Sequence, residues 1–229
     1  MTQRKITLYL TRHGKTMFNT LDKVQGWSDT PLTTTGATVV SHLGKGLKAT
    51  PFVAAYSSDS GRAIETAKII LNENQDSRIQ HHTDKRIREW NFGSFEGSLN
   101  SELTELILRD KDCKTPEELL KTHPTFKDFS DAIYELDTAN WAETYETLTQ
   151  RIHSGFADIA KKHACAKGGN LLVVSHGLTI ANFLNLIDPT IPVYTSISNA
   201  SVSKVEYQNG VFTIKSINDT SYIEQGKNS

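Results

Sequence analysis

Residues 6–14 read ITLYLTRHG. Ile6, Leu8 and Leu10 alternate with Thr7 and Tyr9, the period-2 pattern of a buried strand. The run then ends on Arg12, His13 and Gly14 with no turn residue before them. A cation and an imidazole at the edge of a core are costly unless a partner neutralises them. The charge must come from an internal carboxylate or from an external anion. A second stretch ends the same way. NLLVVSHG, residues 170–177, is the most strand-like run in the chain, and it stops at His176-Gly177. Ligands of open α/β sheets gather outside the carboxyl ends of the strands, so these two ends are where chemistry is expected.

The segments between them set the fold class. Thr33, Thr34 and Thr35 offer an N-cap for a helix over 34–48, and Phe52 to Ser57 reads as a second strand. Ser58 or Ser60 then caps a helix with Ala63, Ala67, Ile70 and Leu71 on one face, and a third strand is expected over 79–83. Residues 98–141 differ: they are charged, hold Pro116 and Pro124, and carry only short helical patterns. From Thr144, Leu148, Ile152, Phe156 and Ile159 recur at helical spacing until Gly168-Gly169. A helix over 178–187 follows. Strands near 201–208 and 211–217 are joined by Asn209-Gly210, a hairpin signal, and residues 225–229 are expected to fray. Strands alternating with helices predict an α/β fold. The expectation is a three-layer sandwich, a mostly parallel central sheet with helices on both faces. A single domain over 1–229 would carry a helical, cap-like insertion at 98–141 over the active site.

The 25 Lys and Arg against 26 Asp and Glu leave no net field for nucleic acid or acidic lipid. With 37% hydrophobic residues and a mean hydropathy of −0.41, the composition is that of a soluble globular chain. No run approaches the roughly 20 apolar residues of a membrane span, and none reads as a secretory leader. Cys113 and Cys165 match no metal or redox spacing. His81-His82 and the His163/Cys165 pair lack further ligands at usable spacing, so they read as solvated histidines and a buried thiol. A cytoplasmic protein with free thiols is expected, with no nucleic-acid or membrane partner, no metal and no cofactor. A homodimer is compatible with the composition.

Arg62 opens the helix after the second strand, in YSSDSGRAIETA. Three strand ends therefore bring two arginines and two histidines toward one place. Helix N-termini there present free N–H groups that suit an anion. A phosphoryl group fits the set, because the planar fork of arginine matches its oxygens. The alternatives are structural histidines and an Arg62 paired on the surface with Glu65. No phosphate-binding G-x-x-x-x-G-K-[ST] loop occurs.

Arg12-His13-Gly14 with Thr16 and Asn19, then Gln25-Gly26-Trp27, Asp29 and Pro31-Leu32-Thr33, resembles the histidine phosphatase (phosphoglycerate mutase-like) superfamily. Ser57-Ser58-Asp59 with Arg62-Ala63 and Thr66-Ala67, and Ser175-His176-Gly177, extend the resemblance over most of the chain outside 98–141. It implies His13 as nucleophile, with His176 as a second catalytic imidazole. It further implies that Arg12, Arg62, Asn19 and Gly177 bind phosphate, with Gln25 and Gly26 toward the substrate. The resemblance places a proton donor after the third strand, where RIREWNFGSFEG offers Glu89. The competing readings are a salt bridge from Glu89 to Arg86 or Arg88, and Glu96 as the acid. Mutases of the family carry Arg-His-Tyr-Gly after the acid, whereas this chain has Trp90-Asn91-Phe92-Gly93. Lys15, where the family commonly has an acid or amide, adds charge beside the expected pocket. The expected activity is hydrolysis of a small phosphorylated metabolite through a phosphohistidine. The alternatives are a cofactor-dependent phosphate-moving mutase and a non-catalytic phosphate-binding adaptor.

Overall fold

The computed structural model describes residues 4–74, 78–193 and 195–228. Its centre is a six-stranded sheet made of β1 (Ile6–Arg12), β2 (Phe52–Ser57), β3 (His81–Thr83), β4 (Gly169–Ser175), β5 (Val202–Gln208) and β6 (Val211–Asp219), in the order β3-β2-β4-β1-β5-β6. The first four in that order run parallel, and β5 and β6 form an antiparallel hairpin on the β1 edge. The chain thus has the α/β architecture expected, with helices on both faces.

Strand β4 explains the layering. Leu171 to Ser175 are all fully buried, because both faces of this central strand are covered. Such strands read as continuous apolar runs rather than alternating ones. Leu171 and Val173 join Leu8 and Leu10 in one core, under α7 (Tyr145–Ala164) and α8 (Gly177–Ile187). Leu172 and Val174 join a second core with Val40, Leu43, Ala67 and Ile70, from α2 (Thr34–Gly46) and α3 (Gly61–Asn74). Strand β1, paired with β4 on one side and β5 on the other, alternates instead, with Ile6, Leu8 and Leu10 buried and Thr7 and Tyr9 half-buried.

The 98–141 segment folds as α4 (Asn100–Asp110), α5 (Pro116–Thr122) and α6 (Phe126–Leu136). Leu103, Ile107, Leu119, Phe126 and Ile133 bury into the core that α7 and α8 cover, which is how these helices are held to the rest of the fold. Asp137 closes the segment. Its carboxylate accepts N–H bonds from Ser94 (2.7 Å), Ala139 (2.9 Å) and Ala142 (2.8 Å). Burial pushes its pKa up, but these backbone donors outweigh burial and hold it well below the usual carboxylate range.

Three expectations are corrected. Residues 225–228 do not fray: Ser221–Lys227 form α9, which lies so close to α2 that a Cβ on Gly226 would sit 1.7 Å from the His42 carbonyl oxygen. Only Ser229 of that stretch lies outside the described residues. Cys165 is exposed rather than buried. A short helix α1 (Met17–Thr20), capped by Thr16, interrupts the loop expected after β1. No helix among the described residues is long and apolar enough to cross a membrane.

Candidate active site

Register brings the two strand ends together. In the parallel pair of β1 and β4, Arg12 lies opposite Ser175, and the His13 N–H donates to the Ser175 carbonyl at 3.0 Å. The next residues of the two strands are therefore neighbours, and the His13 and His176 rings stand 5.2 Å apart. Strand β2 ends one position further along the sheet, with Ser57 opposite Val174. This delivers Ser58 to His176 and Arg62, one turn later, to both rings.

Arg62 is fully buried and all five of its N–H groups are engaged. Nε donates to His13 Nε2 at 3.2 Å, and Nη2 to His176 Nδ1 at 3.0 Å and to the Gly26 carbonyl at 2.7 Å. Nη1 donates to the Ser28 carbonyl (2.8 Å) and to Asp29 Oδ1 (2.9 Å). The surface pairing with Glu65 is not formed; the carboxylate partner is Asp29.

These donors fix the protonation of the rings, since a guanidinium can only donate. His13 Nδ1–H donates to the Gly14 carbonyl at 2.8 Å, which leaves the Nε2 lone pair facing Arg62. His176 accepts at Nδ1, so its Nε2–H donates to Ser58 Oγ at 2.7 Å. Burial drives the pKa of each histidine well below the usual value, and the charges of Arg62 and Arg12 push in the same direction. Both imidazoles are neutral at pH 7.

Beside this group opens a cavity of about 270 Å³ whose wall includes Arg12, Asn19, Gln25, Glu89 and Gly177. His13, Arg62, His176 and Gly26 are buried and do not reach that wall. Arg12 donates Nη1–H to the Ile197 carbonyl at 2.7 Å, while its buried Nε–H has no partner. An unpaired buried donor on a cation is an invitation to an anion. A Cβ on Gly177 would lie 3.4 Å from that Nε, so glycine keeps the approach to the guanidinium clear. Asn19 spends its Oδ1 on Thr16 N–H and on Asn199, leaving its NH₂ as the end available to a ligand.

Glu89 reaches the cavity from the turn after β3. Its Oε1 accepts from Trp90 N–H (3.1 Å) and Thr179 N–H (2.9 Å), with Thr179 Oγ1 at 3.0 Å. Oε2 accepts only Leu178 N–H, at 3.0 Å, and so keeps a lone pair for a proton. Neither Arg86 nor Arg88 pairs with it: Arg86 is held by Asp84 and Asp158, and Arg88 by Asp59. Glu96 is fully committed elsewhere, accepting N–H bonds from Gly26, Trp27, Ser28 and Phe92 and fixing the 26–28 loop.

The helix N-termini are partly taken by the protein itself. Glu89 accepts the Leu178 and Thr179 N–H groups in the first turn of α8, and Asp29 meets the Arg62 N–H at the start of α3 (3.4 Å). Lys15 is exposed and absent from the cavity wall, and Asn100 is the wall's single contribution from 98–141 among the described residues. The cation beside Arg12 in that wall is Lys23. Sequence reasoning also missed Asn199, whose Nδ2 donates to the His13 carbonyl at 3.0 Å. A lone asparagine in a loop before β5 carries no local signal.

The description of the histidine phosphatase superfamily (branch 1) matches residues 8–220. Phosphoglycerate mutase from Bacillus anthracis str. Sterne superposes with a TM-score of 0.94 at 40% identity, covering 99% of this chain and 98% of that one. Bacillus stearothermophilus YhfR follows with a TM-score of 0.75 at 29% identity, over 95% and 99% of the two chains. Phosphoglycerate mutase-like protein 4 of Arabidopsis thaliana is 27% identical over 220 residues, 95% of this chain and 87% of its own length. The match over residues 8–220 and the 40%-identical structure agree with the two strand-end histidines bridged by a buried arginine: the chain belongs to the histidine phosphatase superfamily, branch 1.

Proposed function

We propose that the protein hydrolyses small phosphomonoesters through a phosphohistidine at His13. The observation that carries this reading is the state of His13. Its Nδ1 hydrogen is tied to the Gly14 carbonyl, and its neutral ring directs the Nε2 lone pair to where Arg62 and His176 converge. A neutral imidazole needs no base to act as nucleophile.

The chemistry then runs in two transfers. His13 Nε2 attacks phosphorus, the P–O ester bond breaks, and the leaving oxygen takes a proton from Glu89. In the second transfer the Glu89 carboxylate removes a proton from water, the oxygen attacks phosphorus, and the P–N bond breaks to return His13 and free phosphate. Arg12 and Arg62 supply the positive charge that stabilises the transferring group. Access to His13 Nε2 requires its contact with Arg62 Nε to give way to a phosphoryl oxygen. The three bonds from Arg62 to Gly26, Ser28 and Asp29 keep the guanidinium oriented meanwhile. Gln25 stands at the cavity, whereas Gly26 acts through its carbonyl on Arg62.

A mutase reading has in its favour the names of several relatives, among them the 40%-identical Bacillus anthracis phosphoglycerate mutase and the Arabidopsis thaliana phosphoglycerate mutase-like protein. A mutase must hold a bisphosphate and exclude water between transfers. Trp90 and Phe92 are 2% and 7% exposed, with Trp90 against Phe126, and the 90–93 segment offers no cation. The deciding experiment incubates the enzyme with 3-phosphoglycerate and a trace of 2,3-bisphosphoglycerate, following 2-phosphoglycerate and free phosphate. A parallel phosphate-release screen covers sugar phosphates, phosphoglycerates, nucleotides and phosphoproteins. Hydrolysis exceeding isomerisation supports the proposal. Rapid isomerisation with little phosphate released overturns it, and no turnover on any ester would leave a phosphate-binding adaptor.

A further inference from the structure

Arg151 lies outside the main cavity wall, on the second turn of α7, and its side chain is 12% exposed. It grips the turn that presents Glu89. Nη1 lies 2.9 Å from the carbonyl oxygens of both Arg86 and Arg88, and Nη2 donates to the Glu89 carbonyl at 3.1 Å. The other edge of the guanidinium meets Glu143, with Nε donating to Oε1 at 2.7 Å and Nη2 to Oε2. Glu143 is 11% exposed and stands just before the α7 N-cap Thr144. The helix backbone comes close enough that a Cβ on Gly155 would lie 3.0 Å from Arg86 Cβ and from Ile87 Cγ2. This planar fork spans three carbonyls of one short turn, which a lysine ammonium cannot reproduce.

We propose that Arg151, oriented by Glu143, is a positioning residue for the Glu89 carboxyl. The proposal rests on the reading of Glu89 as the proton donor. Glu89 is held at two ends: its carboxyl group by the Leu178 and Thr179 N–H groups in the first turn of α8, and its main chain by Arg151 and by Trp27 Nε1, which donates to the Glu89 carbonyl at 3.0 Å. Loosening the main-chain end shifts Oε2 along the cavity without touching His13, Arg12 or Arg62. The fold has redundancy here. The Ile87 carbonyl accepts from Ser175 Oγ, that of Arg88 has Thr179 Oγ1 at 2.7 Å, and that of Glu89 keeps Trp27. Of the turn's carbonyls that Arg151 reaches, only that of Arg86 loses its donor when the guanidinium goes.

The test compares kcat/KM for glycerol phosphate, whose alkoxide needs a proton, and for p-nitrophenyl phosphate, whose phenolate leaves unaided. Arg151→Met should lower the first by roughly 10- to 100-fold, as expected for a displaced catalytic group, and the second by less than about threefold. Arg151→Lys, which keeps the charge opposite Glu143, and Glu143→Gln, which keeps all the arginine donors, should fall between wild type and Arg151→Met. They also serve if Arg151→Met does not fold. In a Glu89→Gln background, Arg151→Met should add no further leaving-group-dependent loss. Equal losses on both esters in the Arg151 variants, with selective loss retained in Glu89→Gln, would overturn the positioning role and leave Glu89 as the acid. Equal losses in Glu89→Gln itself would remove the acid reading, and this proposal with it.

Discussion

Replacing Glu89 by glutamine perturbs one proton and one hydrogen bond. In the native site Oε1 accepts two N–H bonds, from Trp90 and Thr179, and Oε2 accepts one, the Leu178 N–H at 3.0 Å. The glutamine oxygen takes the richer position, so its NH₂ faces the Leu178 N–H, donor against donor. Loss of one hydrogen bond to a charged acceptor costs about 1.5–3 kcal/mol. For a chain of this size each kcal/mol lowers Tm by about 2–4 °C, so a fall of roughly 3–12 °C is expected from a variant that still folds. The catalytic effect is larger and selective. General acid catalysis contributes about 10²–10⁴-fold, or 2.7–5.4 kcal/mol of barrier, and only leaving groups that need a proton lose it. Steady-state kcat/KM for a series of alkyl and aryl phosphates should show a steeper dependence on leaving-group pKa in Glu89→Gln than in wild type. A parallel displacement of the two lines, with alkyl and nitrophenyl esters losing equally, would refute the assignment of Glu89 as the acid.

His13→Ala should abolish turnover, and wild-type enzyme quenched in detergent at neutral pH should carry an acid-labile phosphate on His13; label on a serine or aspartate would contradict the mechanism. Activity should survive a strong chelator, because Arg12 and Arg62 supply the charge a metal would otherwise bring; a complete loss rescued by divalent cations would count against that. Folding should weaken in mild acid. His13 and His176 are held neutral in the fold and titrate near 6.5 when unfolded. Their contribution is therefore fully present above about pH 6.5 and declines below it, at up to about 1.4 kcal/mol per pH unit for each histidine. Urea denaturation between pH 7.5 and 5.5 checks this, and His176→Gln should flatten the slope; a midpoint that is unchanged or rises on acidification would disprove it.

Much of this molecule was legible in local pattern. Strand β2 runs over Phe52–Ser57 as its apolar run implies, and β4 shows no alternation because both of its faces are covered. The hairpin at Asn209-Gly210 and the long α7 follow from turn chemistry and helical spacing, which are short-range properties. Helix α9 was missed because SYIEQGK has little periodicity of its own; it is held by packing on α2, where Ile223 is buried and Gly226 permits close approach. The same division runs through the site. By residue type and spacing alone, the ends of β1 and β4 announced His13, His176 and an anion. The resemblance, not the spacing, drew attention to Glu89. What no local reading reached is how these groups satisfy one another. That Arg62 gives every N–H to the protein, that Glu89 and Asp29 meet N–H groups at the helix ends, and that Arg151 holds a turn about 60 residues away in sequence depends on which donors meet which acceptors. Hydrogen-bond partners are chosen by position in three dimensions, and a buried donor takes the acceptor that the packed chain brings to it.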